Sequence, residues 1–274
     1  MTDEEGAERK AQTRAIFNRL AADYDVAGPG CFAWYGRRLV EVAGVASGDR
    51  VLDVATGRGA VLVPAAERVG TGGSVTGIDL SEEMVGIASG EGARFGDRAQ
   101  VRLMDAEQLD FPDETFDHVL CGFGIMFFPN CDRTLGEFRR VLKPGGRIGV
   151  STWQVSQAHD LSVVLNELGL GRGDEPGWIT DPDQLNGVLS SAGFTGVRVI
   201  ADAHAFRYES IDQYWQNARG TGLRRWLDTL DTEQTERVRV ALIERVQASI
   251  RPDGLHLSAT ALLATARLTQ HEAA

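Results

Sequence analysis

No run of apolar residues approaches the roughly 20 needed to cross a bilayer, and the opening "MTDEEGAERKAQ" is too charged for the core of a secretory leader. A cytoplasmic protein without a membrane span is the expectation. Cysteine is scarce: Cys31, Cys121 and Cys131 are odd in number and lack CxxC spacing, which speaks against a disulfide framework or a zinc knuckle. The five histidines are scattered, none at metal-ligand spacing from a carboxylate, so no metal is expected. Basic residues are outnumbered: 28 Lys and Arg face 39 Asp and Glu, for a net charge of -11, and no basic stretch is continuous. A nucleic-acid partner is therefore not expected, because phosphate contacts need clustered cations. Internal repeats and low-complexity tracts are also missing. What is present is an ordinary folded composition, 43% hydrophobic over 274 residues, enough for the core of one large domain.

Residues 1–45 read as a helical cap. Ile16, Phe17, Leu20 and Tyr24 fall on one helical stripe, "GPG" at Gly28–Gly30 interrupts, and "AWYGRRLVEVAGV" resumes a helical pattern. The amphipathic first helix offers a face to a second subunit, which would make a homo-oligomer. From residue 46 onward, short apolar runs alternate with helical patterns: "RVLDVA", "GSVTGIDL", "AQVRLMDAE", "DHVLCGF" and "GGRIGVSTW" read as strands. Such alternation specifies a parallel sheet with helices on both faces. Beyond Trp153 it lapses into a helix and Gly-rich loop, about 154–180. An N-capped helix with Pro182 in its first turn and Gly193 past its end follows, then a long strand "TGVRVIADAHAFRY", a second helical insertion at about 210–254, and the terminal strand "SATALLATARLTQ".

The turn "VATGRGA" follows the first strand, where open parallel sheets bind ligands. Ala55, Gly57 and Gly59 let backbone approach a ligand, and the following helix contributes positive dipole. A pyrophosphate fits poorly, because the third glycine of G-x-G-x-x-G is missing and Asp53 just before the turn would repel it. Asp53 suits an ammonium group instead. Asp79 ends the second strand, where a carboxylate can accept both ribose hydroxyls; Asp105 ends the third, where it can accept from an adenine amine. S-adenosyl-L-methionine meets all three requirements without a phosphate. Both Asp79 and Asp105 also suit turn caps, and Met84 and Phe123 suit plain core.

Taken together, "VLDVATGRGA", "GIDLSEEM", "MDAEQLDFPDETFDHV" and "LKPGGRIGVSTW", in this order and spacing, resemble the class I S-adenosyl-L-methionine-dependent methyltransferases. The branch typified by ubiquinone and menaquinone biosynthesis is nearest, and "IFNRLAADYD" resembles its opening helix and Tyr-Asp pair. The resemblance implies a Rossmann-like, seven-stranded, mostly parallel α/β sheet with an antiparallel C-terminal strand. It also implies cofactor contacts from Asp53 and Gly57 at the methionine end, from Asp79 at the ribose, and from Ala55, Gly59 and Leu80 beside them. Met84, Asp105 and Ala106 would meet the adenine, and Gly122 and Phe123 would flank the sulfonium. The family commonly has Gly where this chain has Ala55.

The acceptor is less legible. Phe17, Tyr24, Trp34, Tyr35, the loop "GFGIMFFPN", Trp153 and the two insertions are candidate walls, and this aromatic content points to an apolar, aromatic or prenylated small molecule. Ordinary burial of aromatics is the competing explanation for each of them. Tyr24 is a candidate catalytic group, its hydroxyl closing the site, and His159 a candidate base or orienting group, with a surface or capping histidine as the alternative. The insertions favour a specialised metabolite over a quinone. A quinone C-methyltransferase, an enzyme coupling methylation to cyclisation and, more distantly, a nicotinamide dehydrogenase stay open.

Overall fold

The apolar runs become five strands in a computed structural model that describes residues 2–154, 160–171, 179–222 and 224–269. The cap contributes α1 (Asp3–Leu20) and α2 (Cys31–Ala43). There follow β1 (Arg50–Val54), α3 (Leu62–Val69), β2 (Ser74–Asp79), α4 (Glu82–Gly92), β3 (Ala99–Leu103), β4 (Phe116–Gly122), α5 (Cys131–Val141) and β5 (Leu142–Trp153). Then come α6 (Asp160–Glu167), α7 (Pro182–Ser191), β6 (Phe194–Tyr208), α8 (Ile211–Arg219), α9 (Arg224–Leu227), α10 (Thr232–Val246), β7 (Ile250–Arg251) and β8 (Gly254–Leu268).

All strands join one sheet in the order β3-β2-β1-β4-β5-β8-β6, with β7 pairing to β8. Strands β1 to β5 are parallel, and β8 runs antiparallel to both β5 and β6. This is the expected Rossmann-like arrangement with an antiparallel C-terminal strand. The two-residue β7 is an addition that periodicity cannot reveal, since two residues carry no period. It makes β8 begin at Gly254, upstream of "SATALLATARLTQ", as the second arm of a hairpin.

Local chemistry sets the element ends. Asp181 accepts from the N–H groups of Asp183 and Gln184, Pro182 fills the first turn of α7, and Gly193 follows it at φ 84°. α1 opens with a capping box between Thr2 and Glu5. It ends at Leu20, so Tyr24 lies beyond the helix, on a turn held by the Tyr24 N–H to the Leu20 carbonyl. α2 is pressed onto the turn after β1. A Cβ at Gly36 would stand 2.1 Å from the Ala60 carbonyl oxygen, so only glycine permits that approach.

Three apolar clusters hold these layers together. One joins β1, β4 and β5 to α5 and α7 through Leu52, Val119, Phe138 and Leu185. Another packs α2 and α3 on β1 through Leu39, Val51 and Leu62. A third ties α6, α8 and α10 to the far end of the sheet through Leu161, Trp215, Leu242 and Phe206. Among the described residues, no helix is long and apolar enough to cross a membrane.

Candidate active site

Strand order reverses between β1 and β4, so the chain segments leaving these two neighbours diverge and leave a crevice at their carboxyl ends. The turn after β1 forms one side. Ala55 is held in the left-handed region at φ 56°, a conformation costing an L-residue about 1–2 kcal/mol. Gly57 follows at φ 54° with open space where a side chain would stand. Ala55 also forbids a side chain opposite, since a Cβ at Gly124 would meet the Ala55 Cβ at 2.7 Å.

The crevice is a cavity of about 400 Å³, within the range of small-molecule sites. Ala55, Gly57, Gly59, Asp79, Leu80 and Met84 line it, together with Asp105, Ala106, Gly122 and Phe123. Asp79 is oriented by the backbone: Oδ2 accepts from the Gly57 N–H at 2.9 Å and Oδ1 from the Ser81 N–H at 2.9 Å. Burial raises its pKa, and these N–H groups oppose the rise. At the next strand end, Asp105 Oδ1 accepts from the Glu107 N–H while Oδ2 lies 2.7 Å from the Lys10 ammonium, which also reaches Glu107 Oε2 at 2.7 Å. Lys10 and Thr13 of α1 complete this wall. Phe17, on the α1 stripe that sequence alone offers to a second subunit, lines the chain's own cavity beside Lys10 and Thr13.

Asp53 requires a correction. The sequence points its carboxylate into the site, whereas the structure buries it completely, behind the cavity wall. β1 is covered on both faces, so the alternate side chain at Asp53 enters core. Its Oδ2 accepts from Thr56 Oγ1 at 2.6 Å, and its Oδ1 makes no close hydrogen bond among the described residues. Burial, with nearby Asp79 adding to it, pushes its pKa up to about 7 against the opposing Thr56 hydrogen bond.

At the β4 side the cavity is aromatic. Phe123, also left-handed at φ 55°, stacks on Trp153 with centroids 4.3 Å apart, and Phe32 meets Phe123 edge-on at 5.3 Å. Tyr24 stacks on Phe32 at 5.1 Å, and Phe17 packs edge-on against both Tyr24 and Phe127. Burial, with the charges of Asp25 and Asp79 beside it, holds the Tyr24 hydroxyl well above the usual tyrosine range. It is a neutral group that can donate a hydrogen bond.

Several proposed acceptor walls lie elsewhere. Trp34 faces outward and stacks on His204 at 3.7 Å, while Tyr35 is core, its hydroxyl donating to the Ala259 carbonyl at 2.7 Å. Trp153 backs the wall through Phe123, and among the described residues neither insertion lines the cavity. His159 lies outside the described residues.

Sequence reasoning missed Lys10 and Phe32, and named Asp25 only as half of the Tyr-Asp pair. Asp25 adjoins Tyr24 on the cavity wall, and its Oδ2 accepts from the Phe32 N–H at the start of α2. Burial raises its pKa to about 6, opposed by that N–H and by Arg58. The "YD" pair was the available signal for Asp25; Lys10 had none.

The donor set fits an adenosine carrying no phosphate. The Gly57 N–H that a pyrophosphate would need is already given to Asp79. Of the cations at the wall, Lys10 is bound to two carboxylates, Arg58 to the Ala21 and Ala22 carbonyls and Arg37 to Glu67. Among the described residues, no three His, Cys, Asp or Glu side chains are grouped to hold a metal ion.

Comparison with known proteins agrees with this geometry. Residues 51–146 match a family model described as a methyltransferase domain. Nocamycin O-methyltransferase of Saccharothrix syringae is 31% identical, over 85% of this chain and 90% of its own length. A ubiquinone/menaquinone biosynthesis C-methyltransferase of Teredinibacter turnerae is also 31% identical, over 70% of this chain and 87% of its own. The solved structure of the cyclase SpnF superposes with a TM-score of 0.56 at 24% identity, over 87% of this chain and 82% of that one, a likeness of fold alone. With two relatives matched over most of their length and the strand-end acids in place, the chain belongs to the S-adenosyl-L-methionine-dependent methyltransferases.

Proposed function

We propose that the protein methylates an oxygen of an apolar, aromatic small molecule of specialised metabolism. The observation that carries the acceptor class is the aromatic set Tyr24, Phe32 and Phe123, backed by Trp153, that meets the cofactor cleft at the end of β4. The match to an O-methyltransferase across 85% of the chain, set against 70% for the quinone enzyme, supports oxygen as the acceptor atom.

The bound cofactor supplies an electrophilic methyl group on a sulfonium. Asp79, beside Leu80, receives the ribose hydroxyls; Met84 packs on the adenine, and Asp105 with the Ala106 backbone reads its edge. Gly57 and Gly59 leave room for the methionine end, and Gly122 and Phe123 flank the sulfur. The aromatic side chains exclude water and align the acceptor, with residues 1–45 as cap. His159 keeps its role as a candidate base or orienting group.

The test is incubation with methyl-labelled cofactor and a panel of phenols, aromatic carboxylic acids and a prenylated hydroquinone, read by mass fragmentation. Label on oxygen of the aromatic acceptors is expected; label confined to a ring carbon of the hydroquinone would replace this reading with the quinone one. With an accepted substrate, Tyr24→Phe is expected to cut turnover about tenfold, the loss of one positioned hydrogen bond, while shifting stability by under about 1 kcal/mol. Unchanged turnover would remove Tyr24 from the mechanism.

A further inference from the structure

α1 supplies part of the cavity wall yet buries little of itself. Only Gly6 and Leu20 among its residues are buried, while Lys10, Thr13 and Phe17 face the cavity. Its remaining attachments are largely polar: Asn18 Nδ2 donates to Glu82 at 2.8 Å, Ser81 Oγ donates to Asn18 Oδ1, and Arg19 reaches Asp228 at 3.2 Å. A helix held this way opens more cheaply than one seated on an apolar face.

Lys10 makes two ion pairs at once. One ammonium, 21% exposed, bridges Asp105 and Glu107, and the Glu107 side chain is only 7% exposed. Glu107 in turn accepts from the Asn130 N–H, so the cluster also reaches the loop after β4. Withdrawing Lys10 would leave two carboxylates, two residues apart, facing each other without a counter-charge, which is unfavourable for the buried one. α1 therefore has its lowest energy when it covers the end of the cavity where Asp105 stands.

We propose that Lys10 is a positioning residue that latches α1 over the adenine end of the cofactor site and fixes Asp105 as the acceptor for the adenine edge. The proposal rests on the reading of Asp105 as an adenine contact. Cofactor entry and departure then require the Lys10 bridge to break, which makes exchange sensitive to salt.

The test uses the full chain, S-adenosylhomocysteine as probe, and Lys10→Met, which removes the charge and keeps the stem. Calorimetry and stopped-flow dissociation are run near 50 mM and near 500 mM salt, where screening lengths differ severalfold. Lys10→Met is expected to bind the probe about tenfold more weakly and release it faster, as for one lost charge-assisted contact. Its α1 amides are expected to exchange hydrogen faster, with a modest fall in its ligand-free melting temperature. High salt is expected to move the wild type toward the variant and leave the variant nearly unchanged, and Lys10→Arg to restore most of the affinity. Wild-type binding and release by Lys10→Met, or weaker binding without faster exchange in α1, would overturn the latch. A wild type that fails to bind the probe would instead remove the cofactor reading, and the latch with it.

Discussion

Asp79→Ala is expected to weaken binding of S-adenosylhomocysteine by two orders of magnitude or more while the protein remains folded. Both oxygens of Asp79 are oriented by backbone N–H groups, Gly57 on one side and Ser81 on the other, so the carboxylate stands fixed at the end of β2 with lone pairs to spare. Two charge-assisted hydrogen bonds to a ribose diol, at about 1.5–3 kcal/mol each, account for roughly a hundredfold in affinity or more, at about 1.4 kcal/mol per decade. The alanine variant also frees the Gly57 N–H in the glycine turn, which costs stability on the order of 1–3 kcal/mol. Calorimetry with S-adenosylhomocysteine measures the first effect and thermal unfolding the second. A dissociation constant within threefold of the wild type would mean that Asp79 serves only to brace the turn.

Asp53 is expected to make both stability and cofactor binding depend on pH. Its folded-state pKa stands raised from 3.8 to about 7, mainly by burial. The folded chain therefore holds a proton there that the unfolded chain has released, and stability present below about pH 4 is lost as pH rises toward 7. At about 1.4 kcal/mol per pH unit the penalty is on the order of 4 kcal/mol for the ligand-free protein above pH 7. Asp25, raised to about 6, acts in the same direction, whereas His118, lowered by burial, gains stability as pH rises through its range. Asp53→Asn separates these contributions, since it removes one charge and keeps an oxygen for Thr56.

The ligand-free wild type is expected to melt several degrees lower at pH 8 than at pH 5.5, and Asp53→Asn to flatten most of that difference. An ammonium on the cavity side of the turn offsets the buried charge through intervening protein of low dielectric. Stabilisation by S-adenosylhomocysteine is therefore expected to grow from pH 5.5 to pH 8 in the wild type and to stay level in the variant. Equal growth in both proteins would separate Asp53 from the ammonium.

The cofactor half of this protein is legible in its sequence because its determinants are local. Strand, glycine turn and helix follow one another within "VLDVATGRGAV", and the acids Asp79 and Asp105 each sit at the end of their own strand segment. A parallel sheet brings such ends to one edge whatever the details of packing. The capped start of α7 and the glycine after it are local in the same way.

Tertiary structure alone decided which side chains face the cavity and which stand behind it. Whether Asp53 points to solvent, cavity or core depends on which neighbours cover β1, and the structure covers both faces. Phe32 lines the site while Trp34 and Tyr35 do not, because the rotation of α2 is fixed by the contact of Gly36 with the Ala60 carbonyl. Lys10 meets Asp105 across 95 residues of chain, a pairing that neither residue's neighbours announce. Periodicity and turn chemistry report the conformation of consecutive residues, and the contacts that complete this site form only when a distant helix folds back over the strand ends.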